Sequence, residues 1–258
     1  MKVGKTNDDK IGIWAVRAQS KILAKRLSKE LHGRIYLSES AGKLTNRQAF
    51  ARSYHQCRRW VMIGTTGIAV RYLQGLTSDK KTDPAVVVVD EAGRFAISLI
   101  GGHEGGANRL AYRVANILGG SPVITTATEA LKPLVVGIGC RKNISVLAIN
   151  QAVQSALASI SRDEEEIREV ATIDLKATEP GLLAWCEKRN LPLRVIPREL
   201  IMARPWVTEP SAWVKENVGV DGVCEPCALL ATYRGKLIVR KTNLNGVTVA
   251  MVEEGPCR

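Results

Sequence analysis

Short apolar runs rich in β-branched residues alternate with longer amphipathic stretches through the first half of the chain. These runs predict strands at IGIWAV from Ile11, RIYL from Arg34, WVMIG from Trp60, AVVVVD from Ala85, RFAISLI from Arg94 and PVIT from Pro122. Between them, residues 18–31 and 107–118 place apolar positions at helical spacing. Strands that alternate with helices in this way predict an α/β fold with an open, mainly parallel sheet.

A run of small polar residues ending in a proline, TTATEALKP at 125–133, interrupts this rhythm and predicts a domain boundary. A second α/β pattern follows it, with strands from Leu134, Glu169 and Leu191, helices at 145–159 and from Gly181, a polar tryptophan-bearing stretch, and a helix that opens near Glu225. The chain ends in two apolar runs joined through Asn245-Gly246, a strong hairpin signal.

The pattern therefore predicts two α/β domains, at 1–128 and 134–258. Each is expected to hold an open, mainly parallel sheet flanked by helices, and the second is expected to close with a C-terminal β-hairpin.

Composition adds expectations about partners and compartment. With 258 residues, 45% of them hydrophobic and 24% charged, the chain predicts a soluble globular protein. No apolar run approaches the roughly 18 to 20 residues of a membrane span, and MKVGKTNDDK lacks the apolar stretch of a signal peptide, so a cytoplasmic protein without a membrane partner is expected.

The net charge of +12 predicts an anionic partner. Nucleic acid is disfavoured because aromatic residues make up only 5% of the chain and the basic residues are spread diffusely. A polycarboxylate or phosphate metabolite fits the composition better.

The six cysteines are too few and too scattered for a disulfide framework, which predicts reduced thiols. Cys224 and Cys227 form a C-x-x-C pair that could be a redox dithiol or half of a zinc site. A zinc site needs a second pair of ligands, and none is spaced for it, so no protein metal site is predicted.

Three glycine-bearing segments follow predicted strands: GTTGIA from Gly64, GGHEGGAN from Gly101 and GIGCRKN from Gly137. Ligands of open α/β sheets bind in the crevice outside the carboxyl ends of the strands, where glycine lets backbone N–H groups approach an anion. Tight turns also require glycine, so a purely structural role stays open for each segment. Neither GxxxxGK[ST] nor GxGxxG occurs, so no nucleotide is indicated.

A few side chains near these segments are candidates for chemistry. His103 is the one histidine in such a loop, whereas His32 and His55 are expected at the surface or at helix ends. Glu225 at a helix start could accept a hydrogen bond or act as a base. Asp174 and Lys176, two apart at a strand end, are predicted to face the same side and either to pair or to hold a polar substrate.

Six segments stand out in order along the chain: GTTGIAVR (64–71), KKTDPAVVVVDEAGRFAISLIGGHEGGANRLAYRVAN (80–116), PVITTAT (122–128), VVGIGCRKNIS (135–145), VATIDLKATEPGL (170–182) and GVCEPCALL (222–230). Taken together, they resemble the CbiG family of cobalt-precorrin-5A hydrolases in anaerobic cobalamin biosynthesis. These segments cover most of the chain and are highly specific as a set. The second domain also resembles the free-standing CobE-like proteins of the aerobic pathway.

The resemblance implies a reaction in which the δ-lactone of a cobalt tetrapyrrole is opened and acetaldehyde is released, giving cobalt-precorrin-5B. It implies an anionic cobalt-tetrapyrrole substrate, with other enzymes of the pathway as further partners. It implies no cofactor of the protein's own, because cobalt arrives with the substrate. The alternative is a non-catalytic tetrapyrrole-binding carrier of the same pathway.

On this resemblance the catalytic candidates are His103, Glu225 and Asp174, with His103 or Glu225 as the general base. The substrate-binding candidates, expected to hold the oxyanion or peripheral carboxylates, are Gly64, Thr65, Thr66, Gly67, Gly105, Gly106, Asn108, Thr125, Thr126, Gly139, Cys140, Arg141 and Lys176.

The chain departs from the family pattern in three ways. Many members carry a further domain between the two, but here Thr128 is followed within a few residues by the strand at Leu134. Gly101 stands where the family usually has a serine, and Cys227 stands where it usually has an alanine. A hydroxyl at the first position is therefore not expected to be essential.

Overall fold

The computed structural model describes residues 10–37, 44–204 and 206–255. The chain divides into two compact units between Thr126 and Ala127. Within the described residues, no helix combines the length and the apolar character needed to cross a membrane.

The first unit contains every strand that the sequence predicts for it. Its strands are β1 (Ile11–Ala15), β2 (Arg34–Leu37), β3 (Arg59–Ile63), β4 (Ala85–Val89), β5 (Phe95–Ile100) and β6 (Ser121–Val123). Its α-helices are α1 (Lys21–Leu31), α2 (Asn46–Ser53), α3 (Thr66–Leu73) and α4 (Ala107–Leu118). Helix α2 was not predicted, although Thr45 and Gln48 form a capping box at its start.

The strand order in this unit is β2-β1-β3-β4-β5-β6. Strands β1 to β4 run parallel, but β5 pairs antiparallel with β4, with Val89 opposite Ala96. Strand β6 is parallel to β5 and therefore runs in this second direction too. The carboxyl end of β5 consequently lies at the edge of the sheet where β3 and β4 begin.

Helices cover both faces of this sheet. On one face, Val61 and Ile63 belong to a core cluster with Leu27 of α1 and Leu110 of α4. On the other, alternate residues of the same strands pack with aromatic side chains in a cluster of Trp14, Phe50, Tyr54, Trp60 and Met62. All five residues of β4 are buried, which explains why AVVVV shows no polar alternation.

The second unit is built from five strands and six α-helices in the described residues. The strands are β7 (Leu134–Cys140), β8 (Ile167–Ile173), β9 (Leu193–Ile196), β10 (Lys236–Leu244) and β11 (Val247–Glu253). The helices are α5 (Ala127–Ala130), α6 (Val146–Ala158), α7 (Pro180–Lys188), α8 (Arg198–Ala203), α9 (Ala212–Val218) and α10 (Cys224–Leu230). Helices α8 and α9 lie in the tryptophan-bearing stretch and were not predicted.

The strand order here is β10-β11-β7-β8-β9, with β7, β8 and β9 parallel. Strands β10 and β11 form the predicted hairpin, and Asn245 and Gly246 at its turn have φ of 53° and 80°. Strand β11 returns antiparallel beside β7, with Val247 opposite Cys140. The hairpin turn therefore lies at the carboxyl end of β7.

Glycine allows a close approach between α10 and β7. A Cβ atom added to Gly137 would lie 1.8 Å from the backbone oxygen of Cys224, the first residue of α10. This glycine of the GIGCRKN segment is therefore explained by packing.

We expect Gly137→Ala to lower the free energy of unfolding by about 1–3 kcal/mol, because α10 must move away from the sheet to admit the methyl group. Urea denaturation of the variant and the parent protein measures this difference. Gly67→Ala in α3 is the control: its Cβ atom would meet nothing within 4 Å, so no loss is expected. A Gly137→Ala protein as stable as the parent would contradict this packing explanation.

Candidate functional site

Two of the predicted binding loops lie at opposite edges of the first sheet. The amide of Gly64 donates to the oxygen of Val89 at the end of β4 (2.9 Å). Gly101, in contrast, packs against Ala85, the first residue of β4. Four residue steps of about 3.3 Å separate these ends by about 13 Å. The Gly64–Gly67 and Gly105–Gly106 amides therefore do not converge on one small group, because β5 is antiparallel to β4.

The His103 loop, residues 101–106, is held by its own backbone. Gly101 and Gly106 have φ of 70° and 79°, in the left-handed region that favours glycine. The amide of Ala107 donates to Gly101 O (3.0 Å), and that of Gly106 donates to His103 O (3.3 Å). His103 itself is exposed to solvent. The φ of Gly101 favours glycine at this position.

Two predicted binding residues support this loop from behind. Asn108 accepts from the Ser98 hydroxyl (2.8 Å) and donates through Nδ2 to Thr126 Oγ1 (2.9 Å). A Cβ atom on Gly102 would lie 2.7 Å from that same Thr126 oxygen. Asn108 and Thr126 thus bond to each other beneath Gly102, whereas Thr125 is exposed.

The other edge of the first unit holds a cavity of about 270 Å³ beside the start of α3. The residues that line it are Val16, Arg17, Gly64, Thr65, Ile68, Asp90, Glu91, Ala92 and Arg94. The Thr65 hydroxyl caps α3 by accepting from the Ile68 amide (3.3 Å), while Thr66 and Gly67 are exposed.

The charges around this cavity balance. Arg94 Nε lies 3.0 Å from Asp90 Oδ2, and Arg17 Nε lies 3.6 Å from Glu91 Oε1. Burial alone would raise the pKa of Asp90, but hydrogen bonds from the Phe95 amide and from Arg94 outweigh it, and the pKa is lowered. The cavity is also smaller than the roughly 300–1,000 Å³ of ordinary ligand pockets. It can hold one substituent of a large ligand but not a macrocycle.

In the second unit, loops from several strands meet at one edge, which we call the cationic edge. It comprises the carboxyl ends of β7, β8 and β9 and the hairpin turn, where the Arg141 amide donates to Gly246 O (3.1 Å). The loops of this edge carry three basic side chains, Arg141, Lys142 and Lys176, and two carboxylates, Asp174 and Glu179, and α8 begins beside them with Arg198 and Glu199. The excess of positive charge suits an anionic ligand.

The predicted same-face arrangement of Asp174 and Lys176 is wrong. The two residues lie in a 3₁₀ turn after β8, not on the strand. Lys176 Nζ lies 3.3 Å from Glu179 Oε2, and the two side chains are 19% and 5% exposed. Asp174 instead accepts from the amides of Leu175 (2.8 Å) and Arg198 (3.2 Å).

Glu179 belongs to the cationic edge but was missing from the predicted site residues. Besides pairing with Lys176, it accepts from the Ile144 amide (3.2 Å) and so joins the loop after β7 to the loop after β8. The sequence signal was present: a glutamate directly before a helix-starting proline, three residues after a lysine.

Two further predicted binding residues, Gly139 and Cys140, lie at this edge but offer no charged group to a ligand. A Cβ atom on Gly139 would lie 2.6 Å from Thr248 Oγ1, so this glycine also serves close packing. Cys140 is half-buried, and its pKa is raised to about 11, mainly by burial; Lys176 lowers it and Glu179 raises it. The thiol is therefore neutral near pH 7 and a weak ligand for an anion.

Glu225 is a buried structural carboxylate. It accepts from the Thr208 amide (2.7 Å), the Thr208 hydroxyl and the Lys241 amide (3.0 Å). Burial alone would raise its pKa, but the bonds from Thr208 and Lys241 and the Lys241 charge outweigh it, and the pKa is lowered. A carboxylate so engaged is a poor proton acceptor.

The cysteines of the described chain are free thiols: Cys57, Cys140, Cys186, Cys224 and Cys227. Cys257 lies outside the described residues. Burial raises the pKa of Cys224 to about 11 and that of Cys227 well above the ordinary value. Such thiols hold little thiolate at neutral pH, which argues against redox use of the C-x-x-C pair. Among the described residues, no group of three or more His, Cys, Asp or Glu side chains could hold a metal ion.

We expect Glu225→Gln to lower the free energy of unfolding at pH 7 by about 1–3 kcal/mol, since the part-buried donors of Thr208 and Lys241 lose one oxygen acceptor and the negative charge. The folded pKa of Glu225 is lowered, so its stabilising effect is complete above the unfolded value of about 4.3 and disappears as the pH falls through the folded value. The difference between variant and parent should therefore shrink below about pH 4.3.

Urea denaturation between pH 7 and pH 3 measures this, with the exposed Glu216→Gln as control. A Glu225→Gln difference that stays constant across the whole pH range would contradict the role of the ionised carboxylate.

Both domains of one family match the chain in order. Residues 48–129 match the Cobalamin synthesis G N-terminal domain, and residues 134–252 match the Cobalamin synthesis G C-terminus. Together these matches cover more than half of the chain.

Curated relatives agree with this assignment. The chain is 36% identical over 188 residues to a Cobalt-precorrin-5A hydrolase from Salmonella typhimurium, covering 67% of this chain and 54% of the relative. It is 40% identical over 105 residues to a Cobalt-precorrin-5A hydrolase from Priestia megaterium, covering 41% of this chain and 28% of the relative. A Protein CobE from Sinorhizobium sp is 29% identical over 126 residues, covering 48% and 82% of the two chains.

The matched length is thus about half of the Salmonella relative and less of the Priestia relative. The resemblance to CbiG seen in the motifs is confirmed by the two domain matches and by these relatives. The chain belongs to the CbiG family of cobalamin-synthesis proteins.

Proposed function

We propose that this protein is a cobalt-precorrin-5A hydrolase, which adds water to the δ-lactone of an anionic cobalt tetrapyrrole and releases acetaldehyde. The observation that carries the proposal is the 36% identity to the Salmonella relative of that name over 188 residues. The net charge of +12 suits a substrate that bears many carboxylates. The free thiols suit a reducing compartment, and we place the enzyme in the cytoplasm.

In the proposed first step, His103 takes a proton from water as the water oxygen attacks the lactone carbonyl. Histidine is the side chain best suited to exchange protons near neutral pH, and His103 is open to solvent. The tetrahedral oxyanion needs nearby donors. The Gly106 amide already donates to His103 O, so we assign this role to Gly105.

In the proposed second step, a carbon–carbon bond breaks in retro-aldol fashion. Lactone opening leaves a carboxylate and a hydroxyl group on the macrocycle. When the hydroxyl proton is withdrawn, its carbon becomes the carbonyl of acetaldehyde, and the electron pair of the broken bond passes into the conjugated macrocycle, which takes up a proton. The same base can serve both steps because it gives up its proton between them.

The cationic edge of the second unit supplies binding in this proposal. Arg141, Lys142 and Arg198 are exposed and can each take a peripheral carboxylate of the substrate. Lys176 is already paired with Glu179, so it contributes a fixed N–H donor more than a free charge. Cobalt belongs to the substrate in this scheme.

The carrier alternative is not favoured. A carrier would need the binding surface but no base and no oxyanion donor. The relatives at 36% and 40% identity are named as hydrolases.

Anaerobic incubation with cobalt-precorrin-5A tests the proposal, with acetaldehyde measured by a coupled alcohol dehydrogenase. We expect one equivalent of acetaldehyde per substrate consumed. Stoichiometric binding of the tetrapyrrole without any aldehyde would refute the hydrolase and support the carrier.

We expect His103→Ala to lower the rate of acetaldehyde release by about 10²- to 10⁴-fold, because the general base is lost. Substrate binding, measured by absorbance titration, should stay close to that of the parent. His55→Ala is the control, since His55 is also exposed but belongs to the helical turn at 54–56 and to none of the predicted loops. Unchanged turnover in His103→Ala would remove His103 from the mechanism.

A further inference from the structure

The five tryptophans of the chain fall into two sharply different groups. Trp14, Trp60 and Trp185 are at most 2% exposed and lie in the cores of the two units. Trp206 and Trp213 are 46% and 66% exposed, and they lie seven residues apart. Leaving large apolar rings in water forgoes the stabilisation that burial gives, so the exposure of both in one stretch indicates a surface that binds something.

We call this stretch the tryptophan segment, residues 198–204 and 206–218. It begins at the cationic edge, because β9 ends at Ile196 beside the end of β8 and the Arg198 amide donates to Asp174 Oδ2 (3.2 Å). Leu200 and Met202 of α8 are exposed as well. Exposed apolar side chains thus follow Arg198 of the cationic edge directly in the sequence.

The tryptophan segment is firmly attached to the second unit, so a loose attachment does not explain the exposed rings. Ile201 is buried in the core beside α10. Thr208 is held by the buried carboxylate of Glu225, and the Ser211 amide donates to Asp221 O (2.9 Å). Contacts of Ile201, Thr208 and Ser211 therefore hold the segment to the second unit, while both indoles are exposed.

The chemistry of this surface matches a flat apolar ring system that carries anionic substituents. Indole rings stack well on other π-systems. The guanidinium of Arg204 lies 5.9 Å from the Trp206 ring centre, close enough to interact with the ring and with an anion beside it. The neighbouring cationic edge provides the remaining positive charge.

We propose that the tryptophan segment binds one face of the cobalt tetrapyrrole, with Trp206 and Trp213 against the macrocycle and the cationic edge on its carboxylates. This inference rests on the proposed function for the identity of its ligand. It assigns the apolar part of substrate binding to Trp206 and Trp213, which lie outside the three glycine loops. Glu225 is then a positioning residue, because it accepts a hydrogen bond from the amide of Thr208, two residues from Trp206.

Titration with cobalt uroporphyrin, a stable cobalt tetrapyrrole with eight carboxylates, tests this inference. We expect the Trp206→Leu, Trp213→Leu double variant to bind the probe at least about tenfold more weakly than the parent, which corresponds to about 1.4 kcal/mol. The quenching of tryptophan fluorescence by the probe should fall in parallel. Binding equal to that of the parent would overturn the inference.

Tyr233→Leu is the matched control. Tyr233 is 81% exposed, and its amide donates to Glu254, just after the end of β11. This end of β11 lies beside the start of β7, at the opposite end of the strands from the hairpin turn. We expect this variant to bind the probe as the parent does. An equal loss in Tyr233→Leu would show a non-specific effect of surface hydrophobicity and would overturn the inference.

A second variant separates ring stacking from mere bulk. Trp206→Tyr, Trp213→Tyr keeps aromatic faces and should recover most of the affinity that leucine loses. If the tyrosine variant binds the probe no more tightly than the leucine variant, the stacking that the inference requires is absent and the inference is overturned.

The remaining occupants of such a surface give different results. If the leucine variant changes the sedimentation of the protein, the surface is an interface between copies of this chain. If a single-stranded RNA binds more tightly than cobalt uroporphyrin and loses affinity in the leucine variant, the surface serves nucleic acid. Either result would overturn the inference.

The outcome can be told apart from that of the proposed function. A parent protein that releases acetaldehyde, with an unchanged KM in the leucine variant, would leave the hydrolase standing and remove the tryptophan segment from binding. A parent protein that releases no acetaldehyde, but binds the probe through Trp206 and Trp213, would do the reverse.

Discussion

The direction of β5 against β4 is the constraint on which the chemistry of the first unit depends. In a fully parallel sheet, loops after successive strands would meet at one edge. Here the reversal sends the His103 loop to the edge where β3 and β4 begin, and it leaves the Gly64 loop at the other edge. A single reacting group can therefore contact only one of the two loops, and the one with a histidine is the better site for proton transfer.

Two buried carboxylates organise the second unit in a comparable way. Glu179 joins the loops after β7 and β8 by bonding both Lys176 and the Ile144 amide. Glu225 joins α10, β10 and the tryptophan segment. The sequence offered Glu225 alone as a candidate base, yet both carboxylates are occupied by donors of the fold. Removing either would leave part-buried donors without an acceptor, which lowers stability.

The proposed substrate is large, and the available spaces are small or open. The 270 Å³ cavity beside α3 has balanced charges and holds at most a substituent. The cationic edge is exposed and carries an excess of positive charge, and the tryptophan segment exposes two indole rings. A macrocycle that binds across such surfaces would be held by many weak contacts. The net charge of +12 adds a general attraction for an anionic macrocycle, which salt screens.

The sequence by itself determined the α/β class, every strand and the hairpin at Asn245-Gly246, because hydrophobic period and turn residues are local signals. It also determined the family, through the order of its motifs. The short helices α8 and α9 escaped it, since their few core residues, such as Ile201 and Val214, leave the period weak. Only the tertiary structure decided that β5 runs antiparallel, that Lys176 pairs with Glu179 and not with Asp174, and that Glu225 is occupied. The physical reason is that an apolar strand reads the same in either direction, and that the partner of a charge is set by which loops the folded sheet brings together.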